Sequence, residues 1–410
     1  MNSTRPDTRY SNFIIALILI FPIAINSVKV VSSLILLIFT ILGVYIIIVD
    51  KKNPFKIKEL KLFSWLTVSY FGAILLSGLM AEGLNYEFHH LGRKLQFLLA
   101  PLIALTMFKI DFSLKNLLLS LKIGLIIIGT ITMAQYQFQI GEEWFRPAGM
   151  MNQNIFGDIA VAMLFLSIVQ VLSETPKEKV ITFVATLFGV VAIVLSASRG
   201  SWVSFIILSI VFILINRKSI FKINKIRLLT FLSVTIVLLG IIGGYSNIKD
   251  KASEAITDVQ EWVNGSQNNT SQGLRLQMWS AGLSAAKQAP WFGYGYRNAN
   301  KVVSEYAANN KITMNSKTHL HNEYITNLVS AGIVGLVALL SLLFIPITIF
   351  YQRLKDKENF HYASMGLLLC ASYATFGFTH IAFGEEHVNS FYVFFIGLLL
   401  PKVIDNINKT

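Results

Sequence analysis

Cysteine, charge and nucleotide-binding motifs are what this chain has little of. Only 14% of its 410 residues are charged, against about 25% in a soluble domain, and the mean hydropathy is +0.59. A soluble globular class is thereby excluded. The single cysteine, Cys370, lies in an apolar run. No internal disulfide can brace an outer loop, and a cysteine-based metal cluster is ruled out. There is no Asp-x-Asp, no phosphate-binding Gly-Lys-Ser/Thr loop and no Gly-x-Gly-x-x-Gly. Nucleotide sugars, ATP and dinucleotides lose their usual sequence support. An enzyme built on this chain would draw its energy from an already activated, lipid-linked substrate, and no nucleotide or other cofactor is expected.

What is present is apolar sequence, 54% of all residues. Runs close to the ~20 residues that span a bilayer as a helix recur from end to end. Hydropathy places about twelve, near 13–27, 29–49, 62–80, 94–108, 117–135, 154–172, 179–197, 201–215, 227–244, 322–350, 362–381 and 388–404. The expected fold is an all-α polytopic membrane protein: helices 1–9 over 1–244, a large outer loop over 245–318, and helices 10–12 over 319–410. The first span follows Arg5 and Arg9 and is succeeded at once by another, so it reads as a retained helix and not a cleaved signal.

Charge orients this topology. With a cytoplasmic N-terminus, most of the 35 Lys and Arg fall on inner segments, and the short outer loops hold only Lys29, Arg93, Lys94, Arg146 and Arg199. That asymmetry follows the positive-inside rule. The formal charge of +13 is therefore mainly an orientation signal, and no nucleic-acid partner is expected. An arginine on the disfavoured side needs a reason. Anion binding is one; an interfacial side chain snorkelling to water is the other, and the one favoured for Arg93.

The long outer segment, Tyr245 to Thr318, carries eight Lys and Arg against five Asp and Glu. Ala252 to Val263, Ser271 to Lys287 and Asn298 to Asn309 read as short helices. Gln288-Ala289-Pro290 with Gly293-Tyr294-Gly295-Tyr296 reads as a turn.

Candidate chemistry gathers where this segment re-enters the membrane, in Lys317-Thr-His-Leu-His-Asn-Glu323. Ionisable groups at such a boundary are costly and point to function. His321 stands at the start of a helix, where free N–H groups disfavour positive charge and favour the neutral imidazole of a general base. Asn322 is equally a common helix cap. Glu323 either orients His321 or begins the helix, and His319 is a neighbour. Arg199 sits in Ser196-Ala-Ser-Arg-Gly-Ser201, a tight outer hairpin suited to gripping phosphate with paired donors. Arg275, in Gly273-Leu-Arg-Leu-Gln-Met-Trp279, and Arg146, in a Gly-rich lead into the span at Asn154, are weaker anion-site candidates. Solvated loops account for His89, His90, Arg93, Glu385, Glu386 and His387, and His361 is expected on the inner side.

His321-Asn322, nine residues, then Gly332-Ile333-Val334-Gly335 resembles the signature of the O-antigen ligase family of bacterial inner-membrane proteins, which shares a domain with O-antigen polymerases. Arg199 and Arg275 stand where that family places two functional arginines, and Arg146 to Asn154 resembles its Arg-x-x-Gly lead. The resemblance extends to the topology of nearly the whole chain. It implies transfer of a glycan from undecaprenyl pyrophosphate to a sugar of lipid A-core, metal-independent and inverting, on the periplasmic face of the Gram-negative inner membrane, with both termini cytoplasmic. His321 would be the base, and Arg199, Arg275 and Arg146 would hold the pyrophosphate. A polymerase that extends the carrier-linked glycan is the alternative from the same superfamily. A polytopic transporter is the alternative from another class, although no repeated halves are evident.

Overall fold

The computed structural model describes residues 8–26, 29–49, 56–82, 89–108, 110–138, 147–220, 271–309 and 320–404. Within them all regular structure is helical: α1 (Thr8–Ala24), α2 (Lys29–Val49), α3 (Lys58–Glu82), α4 (His89–Leu95), α5 (Ala100–Met107), α6 (Leu114–Phe138), α7 (Gln153–Ser167), α8 (Pro176–Leu195), α9 (Arg199–Ile220), α10 (Ser271–Ala286), α11 (Tyr296–Asn309), α12 (Glu323–Arg353), α13 (Phe360–Phe376) and α14 (Glu386–Ile404). Single 3-10 turns at Gln96–Leu99 and Ala382–Gly384 complete the set. Of these helices, α2, α3, α6, α8, α9, α12 and α14 are long and apolar enough to cross a membrane, and α1 and α7 are shorter apolar helices.

Local sequence sets many boundaries. Thr175 and Glu178 form a reciprocal capping box, with Pro176 in the first turn, and so start α8. Asn152 caps α7 by accepting the Asn154 N–H.

Two expectations of the hydropathy reading change. The fourth span is not one helix: α4, a 3-10 turn and α5 replace it, the last restarting with Pro101 in its first turn, where a missing N–H costs nothing. The tenth span is broken at Gly332, whose backbone is non-helical. The ninth, at 227–244, lies outside the described residues, as do the cap helix expected at 252–263, Arg146 and His319.

Lipid tails are as apolar as the side chains, so close packing and buried polar contacts, not water exclusion, join the helices. The long crossing of α6 with α8 depends on Gly129, where a Cβ would overlap the Phe188 backbone. α14 is the most enclosed of the seven long apolar helices; its Phe394 stacks on Phe21 of α1 at 3.8 Å between ring centroids. α13 is wedged between α7 and α9 on one side and α12 and α14 on the other, so the chain leaving its C-terminus reaches both groups.

Polar contacts sort the helix ends as alternating spans require. At one end Ser33 donates to Glu386 (3.0 Å), Arg93 to the Gly384 carbonyl (2.7 Å) and the Glu323 N–H to the Gly377 carbonyl (2.8 Å). At the other, Arg353 pairs with Glu59 (3.8 Å), Lys402 with Asp111 (3.5 Å) and Lys122 with Glu174 (2.5 Å). His361 lies at this second end, against the Val169 carbonyl, away from His321 as the sequence suggested.

Candidate active site

The first end is built around two strained turns. Among the described residues the non-glycine positions with positive φ are Ala197 (50°) and His321 (48°). The left-handed conformation costs an L-residue roughly 1–2 kcal/mol, and such outliers concentrate at functional sites. Ala197 lies two residues before Arg199; His321 is the candidate base.

Asn322 follows His321 as the N-cap of α12. Its Oδ1 accepts the Ile325 N–H (3.0 Å) and its amide donates to the Phe378 carbonyl (3.3 Å). Glu323 is 1% exposed: one carboxylate oxygen accepts from Asn327 (2.7 Å) and lies 3.7 Å from Lys94 Nζ, and the other accepts the Phe383 N–H (2.8 Å). Lys94, 2% exposed, also donates to the Tyr70 hydroxyl (3.0 Å) and the Phe383 carbonyl (2.7 Å), and it lies 5.2 Å from the centre of the Tyr296 ring. Tyr296 in turn donates to Asn327 (2.8 Å). Glu323 thus both begins the helix and carries a compensated buried charge one residue beyond the cap.

The Gly-x-x-Gly signature has a backbone explanation. Gly332 takes φ +65° where the 290–295 turn crosses α12, and a Cβ there would overlap the Trp291 carbonyl. The break frees backbone groups that the turn satisfies: Ile333 N–H donates to Pro290 (2.7 Å), and the Tyr294 and Gly295 N–H groups donate to Val329 (3.0 Å) and Ser330 (2.8 Å). At Gly335 a Cβ would strike that of Ala331. The helix stub 323–331 is therefore positioned by the outer segment as well as by its own cap.

That outer segment carries Arg275 to the same corner. Arg275 and Trp279 are one turn apart on α10, and the Trp279 indole N–H donates to the Leu320 carbonyl (2.8 Å), the residue before His321. Farther along α10, Gly282 lets the helix lie against Ile325 and Leu320. Burial first, and the positive charge of Arg199 second, pull the Arg275 guanidinium below its usual value, so the two arginines stand close enough to repel. Arg199 arrives from the other side: Gly200 packs against Thr379, and the neighbouring Gly377 and Phe378 carbonyls hold Glu323 and Asn322. Two partly desolvated guanidiniums in mutual repulsion suit an anion of more than one charge.

Near the Arg146 lead, the Gln135 side chain clasps the backbone of Ala148 and Gly149 with three hydrogen bonds of 2.8–3.1 Å. No group of three His, Cys, Asp or Glu side chains that could hold a metal ion forms among the described residues.

The family model described as O-antigen ligase matches residues 184–340 of this sequence. An uncharacterized protein of Haemophilus influenzae is 30% identical over 404 residues, 94% of this chain and 95% of its own length. The chain belongs to the O-antigen ligase family. An O-antigen ligase of Escherichia coli K12 is 28% identical over 171 residues, 40% of this chain and 37% of its own. Function of the O-antigen ligase and polymerase type, in a multi-pass membrane protein, follows from this membership.

The region matched to the O-antigen ligase family contains Arg199, Arg275, His321 and both signature glycines, but neither Lys94 nor Asp158. Sequence reasoning assigned these two no role. Lys94 counted only as an outer-loop cation, yet it is buried against Glu323. Asp158 interrupts the apolar run of α7 and is 1% exposed. For Asp158 the signal was a lone charge inside an apolar helix, whereas Lys94, beside Arg93 in the polar α4, offered none.

Proposed function

We propose that this chain is an O-antigen ligase that transfers a glycan from undecaprenyl pyrophosphate to a sugar hydroxyl of lipid A-core, at the periplasmic face of the inner membrane. The observation that carries the reading is that the elements bearing Arg275 and Arg199 meet the strained His321 turn from two sides, α10 through Trp279 on the Leu320 carbonyl and α9 through Gly200 on Thr379. Arg199 and Arg275, with Arg146 as a third, bind the pyrophosphate and stabilise the charge that grows on it as the anomeric C–O bond breaks. His321 takes the proton of the acceptor hydroxyl as its oxygen bonds to the anomeric carbon from the opposite side. One displacement inverts that carbon and releases undecaprenyl pyrophosphate. The arginines supply the charge that a metal ion supplies in Asp-x-Asp transferases, so the reaction needs no metal.

Purified protein reconstituted with undecaprenyl-pyrophosphate glycan and lipid A-core in the presence of chelator tests this. Glycosylated lipid A-core should form with wild type and not with His321→Ala. Lengthening of the carrier-linked glycan instead would make the chain a polymerase, and neither product would leave the transporter reading.

A further inference from the structure

Asp158 lies in the second turn of α7, about 8 Å from the helix start at 1.5 Å per residue. A carboxylate at that depth in an apolar helix is costly unless its contacts are specific. One oxygen, Oδ1, accepts the Ser201 hydroxyl at 2.8 Å; the other, Oδ2, faces His380 Nδ1 at 4.0 Å, beyond hydrogen-bond reach but close enough for an ion pair when the imidazole is protonated. These two partners belong to the two halves of the site. Ser201 follows Arg199 by two residues, and its hydroxyl also meets that of Ser198 at 2.8 Å, so it closes the turn that presents the arginine. The serines press tightly on α7, since a Cβ on Gly157 would come within 3.0 Å of the Ser196 hydroxyl. His380 ends the Gly377–His380 segment, whose carbonyls hold Asn322 and Glu323 behind His321.

We infer that Asp158 is a positioning residue that fixes the Arg199 turn and the His321 corner to one buried point, setting the distance between anion grip and base. This rests on the ligase reading above. Ser201 lies on α9 and His380 follows α13, so a group on α7 that contacts both turns transmits any shift to the reacting atoms, where a misplacement of about 1 Å can cost about a hundredfold in rate.

The test separates the two links. Ser201→Ala cuts only the link to the Arg199 turn. Asp158→Asn keeps an acceptor for Ser201 but removes the charge facing His380, and Asp158→Ala cuts both. Binding of undecaprenyl pyrophosphate to the full-length protein in nanodiscs is measured beside turnover to lipid A-core at saturating donor. With Ser201→Ala the larger loss should be in binding, about tenfold for one hydrogen bond. With Asp158→Asn the larger loss should be in turnover, about a hundredfold. Asp158→Ala should lose both. Wild-type behaviour in all three variants overturns the proposal. So does a parallel fall of binding and turnover that tracks a lowered melting temperature, because Asp158 would then only support packing. If wild type binds undecaprenyl pyrophosphate but glycosylates no lipid A-core, the ligase reading fails, while the binding arm still decides the Ser201 link.

Discussion

His321 is held in a conformation that its own backbone disfavours, and stability and chemistry should therefore part at this residue. Glycine populates positive φ without the Cβ clash. His321→Gly should melt no lower than wild type, and higher by a few degrees if about 1 kcal/mol of strain is relieved, yet should transfer no glycan. His321→Val, β-branched at the same φ, should melt lower. Differential scanning fluorimetry in detergent distinguishes the three proteins. A different residue-scale prediction concerns Lys94. Lys94→Met leaves Glu323 buried without its counter-charge, a loss of roughly 3–5 kcal/mol for broken buried pairs, whereas Lys94→Met with Glu323→Gln should recover a large part of it. Additive losses in the double variant would show that the pair is not coupled. The His321-Asn322-Glu323 corner was legible in the sequence because three polar residues precede an apolar run. Lys94 and Asp158 were not assigned: Lys94 passes as one of two adjacent loop cations, hydropathy averages the single charge of Asp158 away, and their partners, Glu323 and His380, are distant in sequence.

At the scale of elements, α12 is two pieces. Hydropathy read one span over 322–350 because Gly332 is flanked by apolar residues, and Gly-x-x-Gly was visible only as a signature. Its mechanical meaning, a break where the 290–295 turn bonds to Val329 and Ser330, depends on contacts that no local pattern encodes. Gly332→Ala should be severely destabilising: it adds the left-handed penalty of about 1–2 kcal/mol and drives a methyl group into the Trp291 carbonyl. Folded yield and melting temperature should both fall. A well-folded, fully active Gly332→Ala protein would contradict the break. The α10 and α11 helices were readable from their own sequences, whereas the approach of Arg275 to Arg199 was legible only through family resemblance.

For the whole molecule, α13 as a hub between α7 and α9 on one side and α12 and α14 on the other brings both candidate turns to one end. That end is proposed to face the periplasm. Cys370 is the sole cysteine and is buried, so Cys370→Ala provides a background for single-cysteine mapping. Cysteines at Met150 or Trp291 should react with an impermeant maleimide in intact cells with a permeable outer membrane, and cysteines at Lys177 or Lys355 only after the inner membrane is opened. The reverse pattern would invert the topology that the charge distribution predicts. In the proposed division of labour the arginines grip the donor's pyrophosphate and His321 activates the acceptor. Binding of undecaprenyl pyrophosphate to wild type, Arg199→Ala, Arg275→Ala and His321→Ala protein tests it most directly. Each arginine variant should bind at least about tenfold more weakly, a loss of 1.4 kcal/mol or more of charge-assisted bonding, and His321→Ala should bind as tightly as wild type. Wild-type binding by both arginine variants, or an equal loss in His321→Ala, would contradict it.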